Sequence, residues 1–260
     1  MRKKLPKLWL KQAIPWIVPT LLIILWQLLV QFGLLPERVL PAPTAVIKAA
    51  ITLASSGELL RHIITSSIRA FVGLLIGGSI GFILGLLNGI FPVAEKLLDS
   101  SMQMLRNIPH LAMIPLVIVW FGIGEEAKIF LVAIGVMFPI YLNTYHGIHT
   151  VDKGLLEMGK VYGLKPWEQF WQIILPGAMP SILIGLRYAL GIMWLTLIVA
   201  ETIAADSGIG YMAMNAREFM QTDVIVFSIL VYALLGKLAD TSAKLLEEKL
   251  LQWHPSYQIA

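Results

Sequence analysis

The chain has 260 residues, 57% of them hydrophobic and only 14% charged, too little polar surface to coat a soluble globule. Its formal charge of +4 matches the surplus of Lys and Arg that cytoplasmic loops of membrane proteins carry, so it is no sign of a nucleic-acid partner. The absence of cysteine excludes a disulfide scaffold, a thiolate metal site and a cysteine nucleophile. These numbers predict an all-α, polytopic membrane protein.

Arg2, Lys3, Lys4, Lys7 and Lys11 precede an apolar run over residues 13–32, interrupted only by Gln27 and Gln31. The run is long enough to cross a hydrocarbon core of about 30 Å, too long for a signal-peptide core, and has no small-x-small cleavage site at its end. The basic cluster is expected to stay in the cytoplasm. Residues 33–67, with Pro36, Pro41 and Pro43, predict an extended entry to a modest amphipathic helix outside the membrane on the far face.

The second predicted span, 68–91, carries Gly73, Gly77, Gly81, Gly85 and Gly89 at strict four-residue spacing, with Gly78 beside them. That stripe lets a neighbouring backbone approach along the helix, so the span is expected to be buried against protein. No Lys-Ser or Lys-Thr follows it, as a phosphate loop requires. Glu95, Lys96 and Asp99 then mark a return to water. A third span over 102–120 contains Arg106, Asn107, Pro109, His110 and Pro115, and its prolines predict a helix that borders a pore, where freed carbonyls find partners. A fourth span covers 127–148 and ends with Asn143, Tyr145, His146 and His149 on the cytoplasmic side.

A charged island follows at 151–176. Val151, Leu155, Met158 and Tyr162 recur at helical spacing, and after Gly163 a second set, Trp167, Phe170, Trp171 and Ile174, does the same. The pattern predicts two short amphipathic helices. Gly163 stops the first in a left-handed conformation, Pro166 opens the second, and Pro176 closes it. A fifth span over 181–204, a polar segment with Asp206, Gly208, Gly210, Asn215, Arg217, Glu218 and Asp223, and a sixth span over 224–240 complete the apolar part. Lys244, Glu247, Glu248 and Lys249 predict a solvated helical tail.

Six spans put both termini on one side. Lys153, Lys160, Lys165, Lys237, Lys244 and Lys249 then join the N-terminal cluster, against Arg38, Lys48, Arg61, Lys128 and Arg217 opposite, which favours the cytoplasm for the termini. The division expected is 1–67, an N-terminal span and extracytoplasmic loop; 68–250, a core transmembrane domain; and 251–260, a cytoplasmic tail.

No set of residues reads as an active site. His62, His110, His146, His149 and His254 are scattered without a carboxylate cluster, so no metal is expected. The chain has no nucleotide loop either, because Gly236-Lys237 is followed by Leu238. If ATP drives the protein, the ATPase is a separate chain, and Trp167, Phe170 and Trp171 are the aromatic anchors that would seat in it. Ionisable groups within spans are costly. Glu201 in the fifth and Arg106 in the third are therefore read in two ways, with Asn107, His110 and Thr196 as lining of a translocation path, or as buried hydrogen-bonding groups that stabilise packing. An ion-driven secondary transporter would call for inverted repeats and paired intramembrane carboxylates, which the sequence does not display.

The order Glu157, Gly163, nine residues, Ile173, one residue, Leu175-Pro176 resembles the cytoplasmic coupling loop, the EAA loop, of ABC-importer permeases, with Met158 and Gly159 where two alanines are usual. The similarity covers almost the whole chain. Leu105-Arg106-Asn107-Ile108-Pro109-His110-Leu111, Pro115-Leu116-Val117-Ile118-Val119-Trp120-Phe121-Gly122-Ile123 and Met193-Trp194-Leu195-Thr196-Leu197-Ile198-Val199-Ala200-Glu201 resemble permeases of the nitrate/sulfonate/taurine importers. Met212-Ala213-Met214-Asn215-Ala216-Arg217-Glu218-Phe219 is most similar to the aliphatic sulfonate members. The resemblance implies a type I ABC importer (MetI-like) permease fold in a bacterial inner or plasma membrane. It implies a homodimer, two cytoplasmic ABC ATPase subunits that bind the ATP, and an extracytoplasmic solute-binding protein. It also implies a coupling role for Glu157, Gly159, Gly163, Trp167, Phe170, Trp171, Leu175 and Pro176. The permease itself needs no cofactor. Taurine, nitrate or a pyrimidine precursor are the alternative cargoes within the family.

Overall fold

The computed structural model describes residues 6–254, so Arg2, Lys3, Lys4 and the segment 255–260 lie outside it, as do the side chains of Lys7 and Lys11. The described residues form α-helices joined by short turns: α1 (Pro6–Gln31), α2 (Pro43–Ser55), α3 (Glu58–Ile90), α4 (Pro92–Arg106), α5 (Ile114–Phe121), α6 (Glu125–His149), α7 (Lys153–Val161), α8 (Pro166–Gln169), α9 (Leu175–Ala204), α10 (Ile209–Glu218) and α11 (Thr222–Leu250). Among the described residues, five helical segments are long and apolar enough to cross a membrane, and six if the bent pair of α4 with His110–Phe121 is one span.

The fold divides into two compact units. One consists of the described residues through His62 with Met212–Leu230. There α1 presents apolar side chains such as Trp16, Leu21 and Leu22 outward, as a lipid-facing helix does. Gln27, an interruption in the apolar run, has a local use, because its Oε1 accepts from the Thr44 backbone N–H at 3.3 Å and satisfies an orphan donor in the first turn of α2. The Thr222 hydroxyl donates to the Glu37 carbonyl at 3.2 Å.

The other unit is Ile63–Tyr211 with the described part of Val231–Ala260, and α6 is its centre. The glycine stripe of α3 lies on one side of α6. Added Cβ atoms at Gly77 and Gly81 would collide with the backbone of Ala133 and of Met137, so these two glycines set how closely the helices approach. Gly73, Gly85 and Gly89 face Val132, Thr144 and Ile148 in the same row. On its other side α6 meets α9, where Gly147 packs against Ala178 and Ser181, and Gly185 of α9 against Pro139 and Asn143. The Ser181 hydroxyl donates to the Asn143 carbonyl at 2.7 Å, tying α9 to α6. Ile114 and Val117 of α5 complete the core on Ala127, Leu131 and Ala200.

Four expectations change. The predicted span 102–120 is not one helix: α4 stops at Arg106, a 3-10 turn covers His110–Met113, and the two halves meet at 78°. Pro109 and Pro115 lack the N–H groups that a continuous helix would use there, so the chain turns and restarts. The helix expected to begin with the second span at 68 begins earlier, since α3 starts at Glu58. Pro176 does not close the second amphipathic helix. A π-turn over Phe170–Ile174 runs directly into α9, with Pro176 in its first turn, where the missing N–H costs least. Finally α11 continues unbroken to Leu250, and within the tail expected to be solvated, Glu247 is buried.

Candidate functional site

The charged island folds as a self-contained corner. The Asp152 carboxylate accepts from the Gly154 N–H at 2.7 Å and caps α7. At the other end Gly163 adopts φ +77°, the Leu164 N–H donates to the Gly159 carbonyl at 2.9 Å, and the Gly163 N–H donates to the Lys160 carbonyl at 3.0 Å. This pair of crossed bonds is the Schellman stop. Glu168 then reaches back to the Lys165 N–H at 2.7 Å to start α8.

Gly159 is buried, and a Cβ there would meet Ile173 at 2.8 Å, so the glycine seats α7 on the π-turn. Met158, its neighbour, points outward, and the tight packing is carried by Gly159 alone. Glu157 is exposed. Trp167, Phe170 and Trp171 form a ring cluster with centroids 5.2 to 6.0 Å apart. Trp167 is 68% exposed and Trp171 50% exposed, and Leu155, Met158, Val161 and Tyr162 are exposed beside them. So large an apolar surface on a charged corner is what a docking element displays. Leu175 and Pro176 open α9, so the corner and the long helix are one piece.

The five candidate path residues are not assembled in one place. Arg106 and Asn107 are exposed at the bend after α4. His110 is half-buried, and its Nε2 lies 2.9 Å from the hydroxyl of the buried Thr196. Glu201, five residues beyond Thr196 on α9, is 1% exposed and belongs to a different cluster.

That cluster is a buried ion network. The Glu201 carboxylate accepts from the Ser66 hydroxyl at 2.8 Å, Arg69 Nη1 at 2.7 Å, the Gly210 N–H at 2.9 Å and the Tyr232 hydroxyl at 2.9 Å. Arg69 also grips both carboxylate oxygens of Glu125 at 2.6 Å and donates to the Ser207 carbonyl. Lys128 adds a bond to Glu125 at 3.0 Å, and the Ser66 hydroxyl accepts from the Ile209 N–H at 2.9 Å. Bidentate pairing and backbone donors offset the cost of desolvating these charges. The network therefore ties α3, α6, α9, α11 and the turn 205–210 together. Gly208, at φ +110°, passes so close to the Glu201 carboxylate that a Cβ would overlap it.

Sequence reasoning passed over Arg69, which sits one residue inside the predicted second span. A charge there demands a partner of opposite sign, and Glu201 was the intramembrane carboxylate available. The same test applies to Arg187 in the fifth span, whose Nε donates to Asp240 on α11 at 2.6 Å.

The family model described as "Binding-protein-dependent transport system inner membrane component" matches residues 77–252. The aliphatic sulfonates transport permease protein SsuC of Escherichia coli K12 is 59% identical over 97% of this chain and 96% of its own length. That of Bacillus subtilis 168 is 44% identical over 96% of this chain and 90% of its own. The taurine transport system permease protein TauC of Escherichia coli K12 is 33% identical over 91% of this chain and 88% of its own. An amino acid ABC transporter structure superposes with a TM-score of 0.64 at 16% identity, covering 77% of this chain and 97% of that one. An inward-facing MetNI methionine ABC transporter gives 0.55 at 20% identity, covering 72% and 94%; at these identities both show the fold alone. The chain therefore belongs to the binding-protein-dependent transport system inner membrane components, and is a multi-pass permease subunit of an ABC importer rather than an enzyme.

Proposed function

We propose that this permease carries aliphatic sulfonates into the cell, as a homodimer powered by two separate ATPase subunits and supplied by a solute-binding protein. The observation that carries the cargo assignment is the 59% identity over nearly the full chain to a sulfonate permease, against 33% to the taurine permease. Both termini and the corner at 151–176 face the cytoplasm, where Lys153, Lys160, Lys165 and Lys237 are favoured by the positive-inside tendency. ATP is bound by the partner, and the permease itself holds no cofactor.

Coupling runs through one continuous helical element. The helical segment Pro166–Ile203 is 38 residues long, about 57 Å at 1.5 Å per residue, and carries the Trp167 and Trp171 rings at one end and Thr196 and Glu201 toward the other. Movement of the ATPase against those rings displaces the whole of α9 and, through Ser181 and the packing glycines, α6 and α3. The pore thereby alternates between the two faces.

The test is growth and uptake in a strain deleted for this gene and for any second sulfonate importer, with an alkanesulfonate as sole sulfur source. Growth restored only by the plasmid-borne permease is expected. Undiminished uptake in the deletion strain, or restored uptake of taurine but not of longer alkanesulfonates, would overturn the cargo assignment.

A further inference from the structure

A cavity of about 710 Å³ opens between α9 and α11, within the range of small-molecule sites. On α9 the lining runs from Ile184 and Arg187 to the apolar Ile192 and Leu195, one to two turns further along the same face, and α11 contributes Asp240 and Glu247. The pairings of Arg69 and Arg187, both on membrane-spanning helices, differ in kind. Arg69 is 2% exposed and locked to Glu125 and Glu201. Arg187 is 42% exposed, held by the Asp240 carboxylate at 2.6 Å, with the nearer Glu247 oxygen 3.8 Å from its Nη1. A half-open guanidinium on a membrane-spanning helix avoids the acyl chains, and a water-filled cavity such as this one is an environment that accepts it.

We propose that Arg187 is the cation that receives the anionic head of the substrate on its way through the permease, with Asp240 as the counter-ion that the substrate displaces. The inference rests on the sulfonate reading of the preceding section and names where that cargo meets the protein. A guanidinium fork suits a tetrahedral oxyanion, and the apolar Ile192 and Leu195 suit an alkyl tail, so the cavity is amphiphilic in the same sense as an alkanesulfonate. Asp240 does not become an orphan when displaced, since Lys237 Nζ lies 3.5 Å from its other oxygen. The second carboxylate, Glu247, is 7% exposed, and its Oε1 has no hydrogen-bond partner among the described residues. It adds negative charge beside the site and prevents tight capture. Two carboxylates competing for one guanidinium make a site that holds an anion briefly, as a passage requires.

The test uses the complete transporter, with ATPase subunits and binding protein, in proteoliposomes, and measures both alkanesulfonate uptake and ATP hydrolysis stimulated by loaded binding protein. Arg187→Gln is expected to lower uptake about tenfold to a hundredfold, the worth of one charge-assisted contact, while stimulated hydrolysis persists. Arg187→Lys should restore part of the uptake. Asp240→Asn should move the other way in affinity, lowering both the apparent KM for transport and the maximal rate, because the anion is released more slowly. Wild-type uptake by Arg187→Gln, or uptake by Asp240→Asn with unchanged KM and rate, overturns the proposal while leaving the sulfonate reading intact. Failure of the wild-type transporter to take up any alkanesulfonate overturns the sulfonate reading first, and this site assignment with it. If both Arg187 variants fail to assemble, Asp240→Asn decides alone.

Discussion

The Glu201 network makes a quantitative prediction. Replacing Glu201 by Met removes a carboxylate that is fully buried and leaves the Arg69 guanidinium, the Ser66 and Tyr232 hydroxyls and the Gly210 N–H without that acceptor. Neutral hydrogen bonds between membrane helices are worth about 0.6 kcal/mol each, but losing one partner of a buried ion pair costs about 3 to 5 kcal/mol. Arg69 keeps Glu125, which is half-exposed, so the lower end of that range, about 3 kcal/mol, applies to Glu201→Met. Arg69→Met strands Glu201 instead and should cost about 4 kcal/mol, because Glu201 has no second charged partner of comparable burial. The double variant Arg69→Met with Glu201→Met removes both charges and should be less destabilised than the sum, with a coupling energy of about 2 kcal/mol or more. Reversible unfolding of the purified permease in mixed micelles, followed by circular dichroism, measures all three. A coupling energy below about 0.5 kcal/mol would refute the claim that the two charges stabilise one another.

Three further outcomes are expected. Gly77→Leu forces a side chain into the Ala133 backbone and should prevent α3 from seating on α6, seen as loss of folded permease in detergent extracts, whereas Gly236→Leu, at a glycine with open space around it, should be tolerated. Gly163→Val places a β-branched residue at φ +77° and should cost about 1 to 2 kcal/mol locally, loosening the corner. Together with Glu157→Lys it should leave the protein inserted but lower substrate-stimulated ATP hydrolysis; unchanged hydrolysis in both would sink the coupling role. Trp167→Ala with Trp171→Ala should weaken co-purification of the ATPase by about thirtyfold or more, at about 2 kcal/mol for an aromatic anchor, and equal recovery would remove these rings from the interface.

Much of the architecture is local and so was legible along the chain. Apolar runs of the right length marked the spans, and the Gly163 stop and the Pro166 start depend on residues within a few positions of one another. The glycine stripe of α3 announced a close helix contact, though not that α6 would be the partner. At Pro176 local rules mislead: a proline suggests a stop, yet in a first turn it begins a helix, and the preceding π-turn joins that helix to the charged corner. At 102–120 hydropathy alone concealed the 78° bend, because both halves are apolar enough to pass as one span.

What the sequence by itself determined is the kind of protein: a membrane-spanning chain without a nucleotide loop, with a charged pair of short amphipathic helices between its spans. What only the tertiary structure decided is which charges meet. Arg69 and Glu201 are 132 residues apart, and Arg187 and Asp240 are 53 apart, separations over which no periodicity or cap can select a partner. The membrane makes an unpaired charge too costly to leave, but the packing of α3, α6, α9 and α11 chooses its mate. That choice leaves one arginine sealed in a structural network and the other open to a cavity.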